Sequence, residues 1–164
     1  METLQIEKSK ALKAYNEIDA AGKILMHALF GQDAFTQKIT DRVKTFKDAC
    51  EVLGIVEPTH AIPGVVQKTL KRDSESIIAY TKLIFIARAL NEGWEPEWTD
   101  SNQAKYFPWF EWKKKTSGFG FSGTSYDGWA ANATVGSRLC FKTKELAEYA
   151  GKQFEEIYNE FLTL

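Results

Sequence analysis

The sequence predicts an α+β fold: a helical N-terminal part packed on a small antiparallel sheet of about three strands, with a helix closing the chain. Three observations predict it. Apolar residues recur at helical spacing up to residue 93. After Gly93 the period falls toward two, and glycine and aromatic residues concentrate. Helical spacing then returns from Thr143. The 164 residues suit one domain, 1–164, mainly helical over 1–93 and carrying the aromatic-rich sheet and C-terminal helix over 94–164.

Tyr15, Ile18, Ala21, Leu25 and Leu29 step by three and four, predicting one helix with a single apolar stripe that ends at Gly31. "TFKDACEVLG" predicts a second: Thr45 and Asp48 have capping-box spacing, Phe46, Ala49, Cys50 and Leu53 form its stripe, and Gly54 suits the C′ position. "KITDRV" before it fits an extra turn or a short extended connection. Pro58 and Pro63-Gly64 make residues 55–73 irregular or briefly helical. From about Ser74 to Leu90 a long helix turns Ile77, Tyr80, Ile84 and Ala87 inward. The adjacent pairs Ile77-Ile78 and Leu83-Ile84 bury it on more than one face, so it is expected to be central, and Asn91-Glu92-Gly93 stops it. "KYFPWFEWKKK", "GFGFSGTSYDGWA" and "GSRLCFKT" follow as a three-stranded meander, with turns at "KKTSG" and around "ANATVG". Thr143 caps the last helix, with Glu145 in its first turn. Leu146, Ala147, Ala150, Phe154, Ile157, Tyr158 and Phe161 make its apolar face.

Apolar residues at 44%, charged residues at 26% and a formal charge of −1 are ordinary for a soluble globular protein and give no global pull toward nucleic acid or acidic lipid. The polar N-terminus has no signal-peptide pattern, and no apolar run is long enough to span a bilayer. Cys50 and Cys140, without C-x-x-C spacing, read as reduced buried thiols of a cytoplasmic protein.

His27 and His60 have no cysteine or carboxylate at metal-ligand spacing, and Walker A, H-E-x-x-H and G-x-S-x-G patterns are missing. No catalytic residue, cofactor or metal is therefore expected. Gly118 to Gly123 fit G-x-G-x-x-G, yet "TSYDGWAANATVGS" follows without a helical stripe, so a dinucleotide cradle is not expected. Phe119 and Phe121 instead share one strand face, and Gly118 and Gly120 leave the other bare. That bare face admits a backbone, a ring or a ligand, with tryptophan cover the economical expectation.

All five tryptophans and 11 of the 22 aromatic residues lie between residues 94 and 129. Strand alternation sends Phe107, Trp109 and Glu111 to one face and Tyr106, Phe110 and Trp112 to the other, so one set packs under the helices and the second needs other cover. The band is either the core between sheet and helices, with Trp94 and Trp98 pinning the crossover loop, or a stacking platform for bases or sugars. As a platform it comprises Trp94, Trp98, Tyr106, Trp109, Trp112, Phe119, Phe121, Tyr126 and Trp129, with Arg138 as the designated cation. Lys105 and Lys113-Lys114-Lys115 stand nearby. Arg138, on a strand that must pack, is expected to have a partner, either an internal carboxylate such as Asp127 or an external anion.

"ITDRVKTFKDACEVLG", "ARALNEGWEPEWTDSNQAKYFPWF" and "VGSRLCFKTKELAEYAGKQFEEIYNEFL" resemble a family of small proteins common in gut Bacteroides-type bacteria and their phages. The resemblance covers most of the chain. It implies a phage or mobile-element setting, hence the host cytoplasm for a phage-encoded copy, and it carries over no activity, cofactor or catalytic residue.

The function expected is non-enzymatic binding, through the aromatic and basic surface, of a nucleotide-like small molecule or single-stranded nucleic acid. Sequestration of a host signalling nucleotide is one specific form. The alternatives are a structural or protein-interaction role in a homo-oligomer, and a small hydrolase using Glu95, Glu97 or Asp127. Two glutamates flanking Pro96 would stand roughly 7 Å apart on an extended chain, a separation glycosidases use.

Overall fold

The structure, a computed structural model, describes residues 6–35, 37–57, 71–113, 118–128 and 137–163. The chain divides into two compact units, Met1–Lys38 and Ile39–Leu164. The turns expected at "KKTSG" and "ANATVG", and most of 55–73, lie outside the described residues.

In the first unit, Ile18 is extended (φ −87°, ψ 159°) and splits the single expected helix into α1 (Lys8–Glu17) and α2 (Ala20–Phe30). Asp19 restarts it by accepting the Gly22 N–H at 2.8 Å, an Asx cap that satisfies an orphan donor of the first turn. The break resets the helical phase, so the stripe is not continuous: Ala21, Leu25 and Leu29 are exposed. The inward groups are aromatic. Tyr15 stacks on Phe35 at 4.7 Å, and its hydroxyl meets His27 Nε2 at 2.7 Å. Gly31, at φ 85°, ends α2 as the sequence predicts.

In the second unit, "KITDRV" contributes one helical turn, α3 (Ile39–Arg42), before α4 (Phe46–Val52). The capping box is complete: Thr45 Oγ1 accepts the Asp48 N–H, and the Asp48 carboxylate accepts the Thr45 and Lys44 N–H groups. At the other end, Gly54 (φ 66°) and Ile55 donate to Glu51 and Cys50 carbonyls, a Schellman closure. α5 (Lys71–Asn91) runs through the core with Ala79, Leu83, Ile86, Ala87 and Leu90 buried, which makes it central, whereas Ile77 faces solvent. Glu92 and Gly93, both with positive φ, stop it.

The sheet has two strands, β1 (Lys105–Lys113) and β2 (Gly118–Asp127), paired antiparallel with Ser122 as the extra residue of a bulge opposite Trp109/Phe110. The expected third strand is reduced to a single bridge. Phe141 exchanges both main-chain bonds with Tyr106, but the Asn91 side chain takes the neighbouring Cys140 carbonyl (2.9 Å) and Lys142 N–H (3.0 Å). Those two groups point away from β1, so the buried amide holds the segment from behind. The ladder ends because Pro108, the next outward residue of β1, has no N–H to give and Ser137–Leu139 coil into a 3-10 turn. The final helix is also two, α6 (Lys144–Gln153) and α7 (Glu155–Leu162), meeting at a non-helical Phe154. Thr143 caps α6, and Leu146, Ala147, Ala150, Phe154 and Tyr158 are buried. Cys50 and Cys140 are free, buried thiols, and burial pushes the Cys140 thiol up to about 11. Among the described residues no helix is long and apolar enough to cross a membrane.

Candidate functional site

Tyr106 turns its N–H and C=O away from β2, toward Phe141. Alternation and register then place Pro108, Phe110 and Trp112 outward on the same edge, opposite Thr124, Phe121 and Phe119. Residues facing each other in such non-hydrogen-bonded pairs have the closest side chains, and each aromatic pair here is in ring contact. Tyr106–Tyr126 centroids are 5.6 Å apart, Phe110–Phe121 6.0 Å and Trp112–Phe119 5.4 Å, the last two edge-to-face.

The two sheet edges differ. On β2, the outward N–H of Phe119 donates to Asn159 Oδ1 at 2.8 Å and that of Phe121 to Glu155 Oε2 at 3.2 Å. One turn of α7 covers about 6 Å and two strand residues about 6.8 Å, so side chains four apart on the helix can serve alternate N–H groups on the strand. Here the glycines find their reason. A Cβ on Gly118 would lie 2.7 Å from Asn159 Oδ1, and one on Gly120 2.7 Å from Lys113 Cε and 3.4 Å from Glu155 Oε1. The bare face therefore meets the side chains of Asn159, Lys113 and Glu155. On the opposite side Phe121 seats on α6, where Gly151 has no Cβ to block it.

Between the hairpin and the end of α7 lies a groove of about 350 Å³. Pro108, Trp109, Phe110 and Phe119 supply the sheet side, Tyr158, Phe161 and Leu162 the helix side, and Leu139 an end. Phe110 packs on Tyr158 at 4.7 Å and Phe161 stacks on Tyr80 of α5 at 5.4 Å, so the walls are backed by the core. Burial pushes the Tyr158 phenol up, so it stays protonated and the groove carries no charge of its own. A second cavity of about 680 Å³ lies where Phe119 and the α6–α7 junction meet Lys44 and Thr45. Its lysines are engaged, Lys44 over the Tyr149 ring and Lys152 with Glu148 at 2.5 Å, and Glu155 and Glu156 balance them. That cavity offers no net charge to an anion.

The aromatic band therefore separates into parts. Trp109 and Phe119 line the groove, Trp112 stands beside Phe119, and Phe121 is held under Lys152 and Gly151. Trp109, Trp112 and Tyr126 are 50%, 52% and 66% exposed. Trp98 belongs elsewhere: it lies 5.3 Å from the Lys105 ammonium. Lys105 is only 1% exposed and donates to the Asp100 and Gly128 carbonyls at 2.9 and 2.7 Å, clasping the 94–104 loop to the end of β2. It is a structural lysine, unable to meet a phosphate. Trp94 is half-buried in that loop, and Trp129 lies outside the described residues. Arg138 corrects the expected strand: it sits in a 3-10 turn, exposed, and makes no ion pair among the described residues.

Glu97 is bound into a turn, its carboxylate accepting the Thr99 hydroxyl at 2.6 Å and N–H at 2.9 Å, and the Thr99 hydroxyl and N–H hold it below the usual carboxylate range. Among the described residues no three His, Cys, Asp or Glu side chains gather to hold a metal. The groove residues that sequence reasoning left out of the site were Pro108, Phe110, Leu139, Tyr158, Phe161 and Leu162. Tyr158 and Phe161 lie on the apolar stripe of the last helix, and helical spacing cannot tell a core wall from a groove wall. No protein-family model, characterised protein or solved structure matches this chain.

Proposed function

We propose that this is a non-enzymatic binding protein that takes the ring system of a nucleotide-like small molecule into the groove between the hairpin and α7. One observation carries the reading: an uncharged cavity of about 350 Å³, walled on two sides by aromatic rings that the core holds in place. Small-molecule sites are concave, mostly apolar and begin at about 300 Å³. Arg138 supports the anionic half of the ligand, because its neighbour Leu139 lines the groove and its guanidinium has no ion pair among the described residues. A small molecule is favoured over single-stranded nucleic acid, since a strand needs a run of cations along its path, and Lys105 is withdrawn into the fold. In the phage setting that the resemblance implies, the specific form is sequestration of a host signalling nucleotide.

The test is a panel of linear and cyclic nucleotides read by thermal melting and tryptophan fluorescence. A true ligand at 100 times its dissociation constant adds about 2.7 kcal/mol to stability. Trp109→Ala should remove the response, and Arg138→Ala should weaken it without lowering the melting temperature of the free protein. A panel that moves neither signal sinks the proposal.

A further inference from the structure

Tyr158 is the most buried of the six tyrosines, at 4% exposed, and its hydroxyl has no hydrogen-bond partner among the described residues. Elsewhere the fold serves its inward polar groups. The Tyr149 hydroxyl donates to the Val43 carbonyl at 2.7 Å, buried Asn91 bonds through both amide atoms, and buried Lys105 donates twice. A buried hydroxyl left unpaired costs stability, so native folds leave few of them. Phe110 packs on the Tyr158 ring at 4.7 Å and the ring belongs to the core, so it cannot swing out to water without unpacking. Burial alone raises this phenol, which therefore keeps its proton and stays a donor.

The groove is the open space that Tyr158 borders. Its other side chains are hydrocarbon except for the Trp109 indole, whose N–H is also a donor, and none is charged. We infer that the Tyr158 hydroxyl is the recognition group of this groove, donating to a ring nitrogen or carbonyl oxygen on the edge of a neutral, planar ring. This rests on the reading that the groove takes a ring, and a nucleobase shows such an edge. A charged part of the ligand stays outside, because nothing in the groove would offset its desolvation. The aromatic walls contribute contact area to any flat ring. The hydroxyl decides which ring is kept, since one without an acceptor leaves the phenol unpaired in a filled groove.

Quinoline and naphthalene test this, because they share an outline and differ by one ring nitrogen that accepts a hydrogen bond. In NMR titrations of the full chain, both should shift the Trp109 indole N–H signal. Tyr158→Phe should weaken quinoline binding about tenfold and leave naphthalene unchanged. Without any probe, the variant should melt at or above wild type, since phenylalanine keeps the ring and removes the unpaired group. A lower melting temperature means that the hydroxyl has a partner inside the fold. Equal effects on the two probes, or none, mean that it does not choose the ligand. Either result overturns the inference. If quinoline binds with this Tyr158 dependence while the nucleotide panel fails, the nucleotide reading falls and the role of the hydroxyl stands. If neither ring binds, the groove is not a ring site and both fall.

Discussion

Gly151→Ala sets two effects of opposite sign against each other. In a helix interior, alanine is favoured over glycine by about 1 kcal/mol, so propensity alone predicts stabilisation. The structure predicts the reverse. A Cβ at 151 would lie 2.6 Å from Phe121 Cε2 and 2.8 Å from Pro108 Cβ, distances at which something must move. Neither neighbour has room to give: Phe121 is wedged edge-on to Phe110 and tethered through its N–H to Glu155, and Pro108 is a buried ring on β1. Overpacking a fitted site costs about 1–3 kcal/mol, which outweighs the propensity gain. The expected net loss is up to about 2 kcal/mol, or a fall in melting temperature of up to about 8 °C. Urea unfolding measures it directly, with an unchanged m-value showing that stability alone has moved. Phe121→Ala removes the nearer obstacle at its own cavity cost and leaves Pro108, so Gly151→Ala should cost less in that background than in wild type, a coupling of about 1–2 kcal/mol between the two sites. If Gly151→Ala stabilises the wild-type background, the packing of α6 on the hairpin is not as described.

Other outcomes follow from the same geometry. Lys105→Met should leave the Asp100 and Gly128 carbonyls without their donor, costing about 1–3 kcal/mol and shifting the emission of Trp98; an unchanged melt and spectrum refute the clasp. Asp48 accepts two N–H groups, which hold its carboxyl below its ordinary value of 3.8. A depressed folded pKa gives stability that is full above that ordinary value and fades as pH falls through the folded one. The advantage of wild type over Asp48→Ala in urea should therefore be largest near neutrality and shrink in acid; a pH-independent gap contradicts the capping account.

Local chemistry was legible from the residues. The capping box of Thr45 and Asp48, the glycine stop at Gly54, the halt at Glu92-Gly93 and the Thr143 cap each use groups within a few residues of one another, so spacing reports them. Strand alternation also assigned the aromatic faces, because the period of two is a property of the strand itself. Longer elements were less legible. An apolar stripe cannot announce a break such as Ile18 or Phe154, which continues the hydrophobic spacing while leaving helical geometry. The third strand failed for a different reason: Pro108 has no N–H to carry the ladder past Tyr106, and Ser137–Leu139 coil into a 3-10 turn.

By itself, then, the sequence determined the α+β class, the caps and stops, and the concentration of aromatic residues in one hairpin. Only the tertiary structure decided what meets those rings and glycines. "SGFGFSG" holds strand residues whose outer N–H groups are served by Asn159 and Glu155, 40 and 34 positions away along the chain. The tryptophans divide according to what reaches them: Trp98 meets the Lys105 clasp, Trp109 lines the groove and Trp112 stands against Phe119. Helix and strand periods are local and written in spacing; which side chain answers which depends on long-range packing, and spacing does not encode it.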